Sequence, residues 1–292
     1  MPYLAELAIS AGISWPAIDF MRRGYELNGE PLRLRDRGQR WFARVLAHEH
    51  RAQSHHDALV LGATPWLTGA LSERVEHTTV IDVGAEMLAM CKRWVRSNVT
   101  NEITFVQGDW LALPPSVRGL GLVAGDNSFS FLRYPNDWDE MLNILSERMA
   151  EEAVLFARLL SIPATHRRLR PAEIVENALA RSTPVNFTAV RVALLFAHWN
   201  PTDYIIHTED ALATFDAHRA EFDPLFCDLP CTAENDLLSI EKYRNTGVRY
   251  FAPPLAEAIA RFERRFRVRA VYFGPYEMSQ YFPLIVVSKL AV

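Results

Sequence analysis

The stretch Asp57-Ala58-Leu59-Val60-Leu61-Gly62-Ala63-Thr64-Pro65, followed by Thr78-Thr79-Val80-Ile81-Asp82, decides how the chain folds. Each half is a short run of apolar and β-branched residues that stops at a small or acidic one. A run that is apolar throughout belongs to a strand covered on both faces, as in a parallel sheet flanked by helices. The pattern repeats downstream. Glu86 to Val95 reads as a helix, and Ile103 to Val106 as a strand ending at Gly108-Asp109. Leu120 to Ala124 reads as a strand ending at Gly125-Asp126-Asn127, Trp138 to Met149 as a helix, and Ala153 to Leu160 as a strand stopped near Pro163. Strand and helix therefore alternate over residues 57–162, the order that builds a doubly wound α/β unit.

Outward from this unit the patterns differ. Phe266 to Phe273 alternates apolar and charged residues, Gly274-Pro275 interrupts it, and Tyr281 to Leu290 is again extended. That arrangement predicts an antiparallel pair at one side of the sheet. The expected fold is α/β: a Rossmann-like, mostly parallel seven-stranded sheet with a C-terminal antiparallel hairpin, built from residues 54–162 and 266–292. Residues 1–53 show apolar positions at helical spacing, clearest at Trp41, Phe42, Val45 and Leu46, and predict an N-terminal helical lid. Residues 163–265 are too many for an ordinary crossover and predict a large cap inserted before the last two strands.

Composition narrows the function classes. Of 292 residues, 49% are hydrophobic and 23% charged, so the chain is globular rather than disordered or fibrous. No apolar run is long enough to span a bilayer. The first residues carry Glu6 and no basic stretch, unlike a secretory signal. Cys91, Cys227 and Cys231 are too few for a disulfide framework, and a reducing cytoplasm is the expected location. The net charge of -4 argues against a nucleic-acid partner gripped through its phosphates.

In doubly wound sheets, ligands bind beyond the carboxyl ends of the strands, where the strand order reverses. The first strand ends at Gly62-Ala63-Thr64-Pro65, where a glycine permits a tight turn and close approach to the backbone. Asp82 ends the second strand, where a carboxylate can accept both hydroxyls of a ribose. The second glycine that a dinucleotide's pyrophosphate requires is absent, and Pro65 removes an N–H donor. An adenosine bearing a sulfonium in place of phosphates fits this loop better. Gly108-Asp109-Trp110 suits an adenine slot, with Asp109 accepting from the exocyclic amine and Trp110 or Met87 covering the base. Asp126-Asn127-Ser128 falls beside the place of the sulfonium.

The series Leu61-Gly62-Ala63-Thr64-Pro65, Val80-Ile81-Asp82-Val83, Gly108-Asp109-Trp110 and Gly125-Asp126-Asn127-Ser128 resembles class I S-adenosylmethionine (SAM)-dependent methyltransferases, and within them the subgroup with Gly-Xaa-Thr-Pro in the first motif. The resemblance spans residues 57–162 and 266–290. It implies SAM as cosubstrate, held by Gly62, Ala63, Thr64, Asp82, Val83, Met87, Gly108, Asp109, Trp110 and Asp126. In such proteins a leading helical segment often folds over the cosubstrate, which brings in Tyr25 and either Arg40 or Arg33 as a partner for the SAM carboxylate.

Methyl transfer needs alignment and exclusion of water more than a strong base. Asp126 and Asn127 are the candidates for orienting the acceptor or SAM's amino group, and His198, in the aromatic-rich run His198-Trp199-Asn200 with Tyr204, is a candidate base. The histidines His48, His50, His55 and His56, and the set Cys227, Cys231 and His218, lack metal-ligand spacing, so no metal is expected. The expected activity is methylation of a small molecule; neither nucleic acid nor membrane is an expected partner, and the oligomeric state is left open. Three alternatives use the same motifs: a SAM-consuming enzyme that cyclises SAM to azetidine-2-carboxylate and methylthioadenosine, a nicotinamide oxidoreductase, and a non-catalytic SAM-binding module.

Overall fold

In the computed structural model, seven strands hydrogen-bond in the order β3-β2-β1-β4-β5-β9-β8. They are β1 (Asp57–Leu61), β2 (His77–Asp82), β3 (Glu102–Gln107), β4 (Leu120–Asp126), β5 (Met149–Arg158), β8 (Phe266–Tyr272) and β9 (Leu284–Lys289). The structure describes residues 32, 34–50, 57–95, 101–181, 186–225, 240 and 243–290. β1 to β5 pair in parallel, whereas β9 is antiparallel to both β5 and β8. The expected fold class is therefore found, with the reversed strand lying between two that run the common way. β5 begins at Met149 rather than Ala153, directly after its helix ends, and it stops at Arg158 rather than Leu160.

Alternation along the strands divides the core. On one face Ala58, Val60, Val80, Leu122, Ala124, Val154 and Phe156 pack against α1 (Asp36–Glu49), α2 (Pro65–Ser72) and α3 (Ala85–Trp94). On the other, Leu59, Leu61, Ile81, Val123, Leu155 and Ala157 pack against α4 (Asn136–Arg148) and α9 (Leu255–Phe262), which supplies Ala258 and Phe262. Successive side chains of one strand point to opposite faces, so a strand apolar at every position is one that both helical layers need.

The segment between β5 and α9 carries α5 (Pro171–Arg181), α6 (Phe187–Ala197), α7 (Thr208–Ala217), the short α8 (Arg219–Phe222) and a two-stranded antiparallel ladder of β6 (Ile205–His207) and β7 (Arg249–Phe251). It has its own core, in which Phe187, Val192, Leu195, Phe196, Phe215 and Phe222 are buried. Phe131, just after β4, packs against both this core and the α4 side of the sheet. Tyr276 packs against the insertion's core and against the α1 side.

Candidate functional site at the carboxyl edge of the sheet

At the end of β1, Gly62 takes φ +95°, the left-handed region that only glycine enters without strain. Its N–H donates to the Ile81 carbonyl at 2.9 Å, which ties the turn to β2. A Cβ at Gly62 would stand 3.4 Å from Trp110 Cζ2 and 3.8 Å from Asp82 Oδ2. Thr64 then precedes α2, whose first residue is Pro65, a position where no N–H is needed.

Asp82 is clamped by main chain. Its Oδ2 accepts from Ala63 N–H at 2.9 Å and its Oδ1 from Gly84 N–H at 2.8 Å. Burial raises its pKa, and these two donors oppose the rise. A carboxylate offers about four lone-pair sites, so two acceptor positions are left for a ligand. A Cβ at Gly84 would lie 3.3 Å from both Asp82 Oδ1 and Met87 Cγ, so the smallness of this residue keeps the carboxylate approachable. Val83 is half-buried between them, and its carbonyl accepts from Gln107 Nε2 at 3.1 Å.

At the end of β3, Gly108 N–H donates to the Asp82 carbonyl at 3.0 Å. Asp109 Oδ1 caps a short 3₁₀ turn by accepting from Leu111 N–H at 2.9 Å. Trp110 points inward. Its indole is buried, donates to the Ile81 carbonyl at 2.9 Å and fills the space under Gly62. It forms the floor of the turn, whereas Met87 is half-buried beside Gly84.

The end of β4 is built differently. Asp126 forms an ion pair with Arg158, its register partner on β5. Arg158 is fully buried, donates from Nε to the Tyr276 hydroxyl at 3.0 Å, and lies 5.0 Å from the ring centroid of Phe282. Asp126 Oδ1 is thus committed to the arginine. Asn127 follows at φ 63°, its N–H donating to the Arg158 carbonyl at 2.7 Å and its Nδ2 to the Leu32 carbonyl at 3.2 Å. The amide cannot be turned over, because its oxygen would then face another carbonyl. Asn127 Oδ1 is therefore left buried with no partner among the described residues. Ser128 Oγ donates to the Leu61 carbonyl at 2.5 Å and locks this turn to β1.

The remaining expected residues fall elsewhere. Arg40 is on the exposed side of α1, whereas its neighbour Trp41 packs edge-on against Tyr276 at 6.1 Å. Tyr25, Arg33, His55, His56, Cys227 and Cys231 lie outside the described residues. His198 is in the insertion, half-buried behind α6, with Nε2 2.9 Å from Thr214 Oγ1. Burial lowers its pKa, and no contact found for it reaches the strand ends. The structure thus assembles Gly62, Ala63, Asp82, Gly108, Asp109, Asp126 and Asn127 along one edge, with Met87 beside Gly84, and leaves His198 apart. Ser128 joins the edge as its motif implied, and Gly84, Arg158 and Tyr276 join it without having been expected. For Arg158 there is a signal: a charge inside the run Ala153 to Leu160 must find a buried partner.

Among the described residues no three His, Cys, Asp or Glu side chains are grouped to hold a metal ion, and no helix is long and apolar enough to cross a membrane. No family model matches the chain, and neither does any curated protein. Solved structures do. One from Rhodobacter sphaeroides, described provisionally as a zinc-dependent alcohol dehydrogenase, is 15% identical with a TM-score of 0.54, covering 94% of this chain and 99% of the other. The PH0226 protein of Pyrococcus horikoshii is 9% identical with a TM-score of 0.52, over 89% and 94% of the two chains. The N-methyltransferase NodS of Bradyrhizobium japonicum, solved with S-adenosylhomocysteine (SAH), is 12% identical with a TM-score of 0.51, over 94% and 100%. At such identities the likeness is one of fold: this chain has the Rossmann-like fold found in SAM-dependent methyltransferases such as NodS.

Proposed function

We propose that this protein is a SAM-dependent methyltransferase of the Gly-Xaa-Thr-Pro subgroup, acting on a small-molecule acceptor. The observation that carries this reading is the Asp82 carboxylate. Two main-chain N–H groups hold it beside a left-handed glycine, and it keeps free lone pairs at the carboxyl edge. That arrangement suits the two hydroxyls of a ribose, and the loop's missing second glycine and its proline suit a ligand without phosphates. The cradle fits the cosubstrate: a Cβ at Gly84 would press on the carboxylate that receives the ribose, at 3.3 Å, and the turn at Gly62 needs a positive φ.

When bound, SAM supplies a methyl carbon activated by a positive sulfur. The chain's own groups do the positioning. Asp82 holds the ribose, Asp109 Oδ2 and the neighbouring main chain take the adenine edge, and Met87 covers its face. Asn127 Oδ1, a buried acceptor with no donor among the described residues, orients an N–H or O–H of the ligands. Asp126 neutralises Arg158 and, through the Arg158 carbonyl, fixes the backbone of Asn127. The leading segment, residues 1–53, whose Leu32 carbonyl reaches Asn127, serves as the lid. Within residues 163–265, the part before α9 forms the cap that excludes water from a compact acceptor, while α9 covers the sheet.

Calorimetric titration with SAM tests the reading. Wild type should bind, and Asp82→Ala should bind about 10- to 100-fold more weakly, the loss expected for hydrogen bonds to a charged group. Mass spectrometry should find SAH released with an acceptor present. A folded wild type that does not bind SAM overturns the proposal.

A further inference from the structure

We infer that Tyr276, in the connection between β8 and β9, is a positioning residue for SAM: through Arg158 it holds the Asn127 turn in its ligand-binding form, and through Trp41 it ties that turn to α1. The inference rests on the methyltransferase reading. Asn127 has a backbone that needs holding. Its φ of 63° lies in the left-handed region, which an asparagine enters more readily than most residues but still at a cost. Arg158 restrains it from two sides. The Arg158 carbonyl accepts from Asn127 N–H at 2.7 Å, and the guanidinium holds the side chain of Asp126, the residue before. With both restraints in place, Asn127 Oδ1 stays buried with no donor among the described residues, ready for a ligand N–H or O–H.

The guanidinium is in turn fixed by Tyr276. Nε donates to the Tyr276 hydroxyl at 3.0 Å while Nη1 donates to Asp126, and pinning two nitrogens of a planar fork sets its plane. The ring centroids of Tyr276 and Phe282 lie 5.6 and 5.0 Å from Arg158 Cζ. Gly274 makes room for the tyrosine. It is buried, and a Cβ there would lie 1.9 Å from Tyr276 Cε1 and 2.6 Å from Cζ. Tyr276 can turn back onto its own connection only because residue 274 has no side chain.

The same ring meets Trp41 of α1 edge-on, with 6.1 Å between centroids and 82° between planes. The last turn of α1 is held as well, where Glu49 accepts from the Tyr272 hydroxyl and pairs with Arg269 at 3.0 Å, both on β8. Shortly before α1, the Leu32 carbonyl reaches Asn127 Nδ2 directly at 3.2 Å. The leading segment and the Asn127 turn are thus joined twice, once through Leu32 and once through Trp41, Tyr276 and Arg158. Seating α1 and fixing the acceptor that reads the ligand become one event.

A double-mutant cycle read by the calorimetric affinity for SAM tests the coupling. Tyr276→Phe keeps the ring against Trp41 and removes only the hydroxyl. In the wild-type background it should weaken SAM binding about 5- to 10-fold. In an Asn127→Gly background, where glycine keeps the positive φ without strain, it should change the affinity by less than about twofold, because the side chain it positions is gone. A tyrosine that served packing alone would leave the affinity unchanged, or change it by the same factor in both backgrounds. The side-chain amide signals of Asn127 in the NMR spectrum, assigned by their loss in Asn127→Gly, should move in Tyr276→Phe. Gly274→Ala, which drives the ring from its place, should weaken SAM binding at least as much. It should also speed amide exchange over residues 34–42, which Tyr276→Phe should leave near wild type. Equal factors in the two backgrounds, unmoved Asn127 amide signals, or a Gly274→Ala protein with wild-type affinity would overturn the inference. A folded wild type that does not bind SAM would instead remove the methyltransferase reading, and this inference with it.

Discussion

At the scale of single residues, Asp82 sets a pH dependence whose sign can be worked out. Burial outweighs the Ala63 and Gly84 donors and lifts its pKa above the ordinary aspartate value of about 3.9. Between that value and the raised one, the folded protein binds more protons than the unfolded chain. The ligand-free protein therefore loses stability as pH rises through this window and is level above it. A ribose needs the ionised carboxylate, so SAM affinity should strengthen across the same window, in the opposite sense. Calorimetric Kd values over a pH series should show this in wild type, and Asp82→Asn should flatten the curve; an equal slope in both proteins would assign it to another group. Gly62 and Asp82 were legible in the sequence because each meets a demand few residues meet: positive φ at a tight turn, and a carboxylate closing an apolar strand. Trp110 was not legible in the same way. An indole suits a stacking surface and a core equally well, and only the hydrogen bond to the Ile81 carbonyl decides between them.

At the scale of elements, β4 and β5 depend on the Asp126–Arg158 pair. An ion pair this deep adds little net stability over an apolar pair, but removing one partner strands a charge in the core. Arg158→Met should cost about 3–5 kcal/mol in urea unfolding, and adding Asp126→Leu should restore most of it. If the double variant is no more stable than the single, the pair is not the reason for the loss. The strands themselves were readable because both faces of the sheet are covered and their runs are apolar throughout. The short β6 and β7 were not, because three residues carry too little periodicity to stand out from a loop. Arg158 escaped notice because its partner is adjacent across the ladder but distant in sequence.

For the whole molecule, the question is how the sheet and the insertion behave as one body. Each buries a core of its own, and Phe131 contributes to both, its ring 5.3 Å from Tyr250 in an edge-to-face contact. A hydrogen bond from Tyr204 to Glu257 of α9 also crosses the seam, at 2.5 Å, but Glu257 is exposed and such a bond contributes little against water. Cohesion therefore rests on buried aromatic contact. Phe131→Ala should cost about 1–3 kcal/mol, below a fully buried phenylalanine because the ring is only half-buried. The loss should be uneven. Amide hydrogen exchange in α6 and α7 should speed up while protection in β1 and β4 changes little, since the sheet keeps its own helical layers. Glu257→Gln should leave both regions as they are. Equal acceleration in sheet and insertion would mean that the two unfold as a single cooperative unit, and that Phe131 contributes to it like any other core residue.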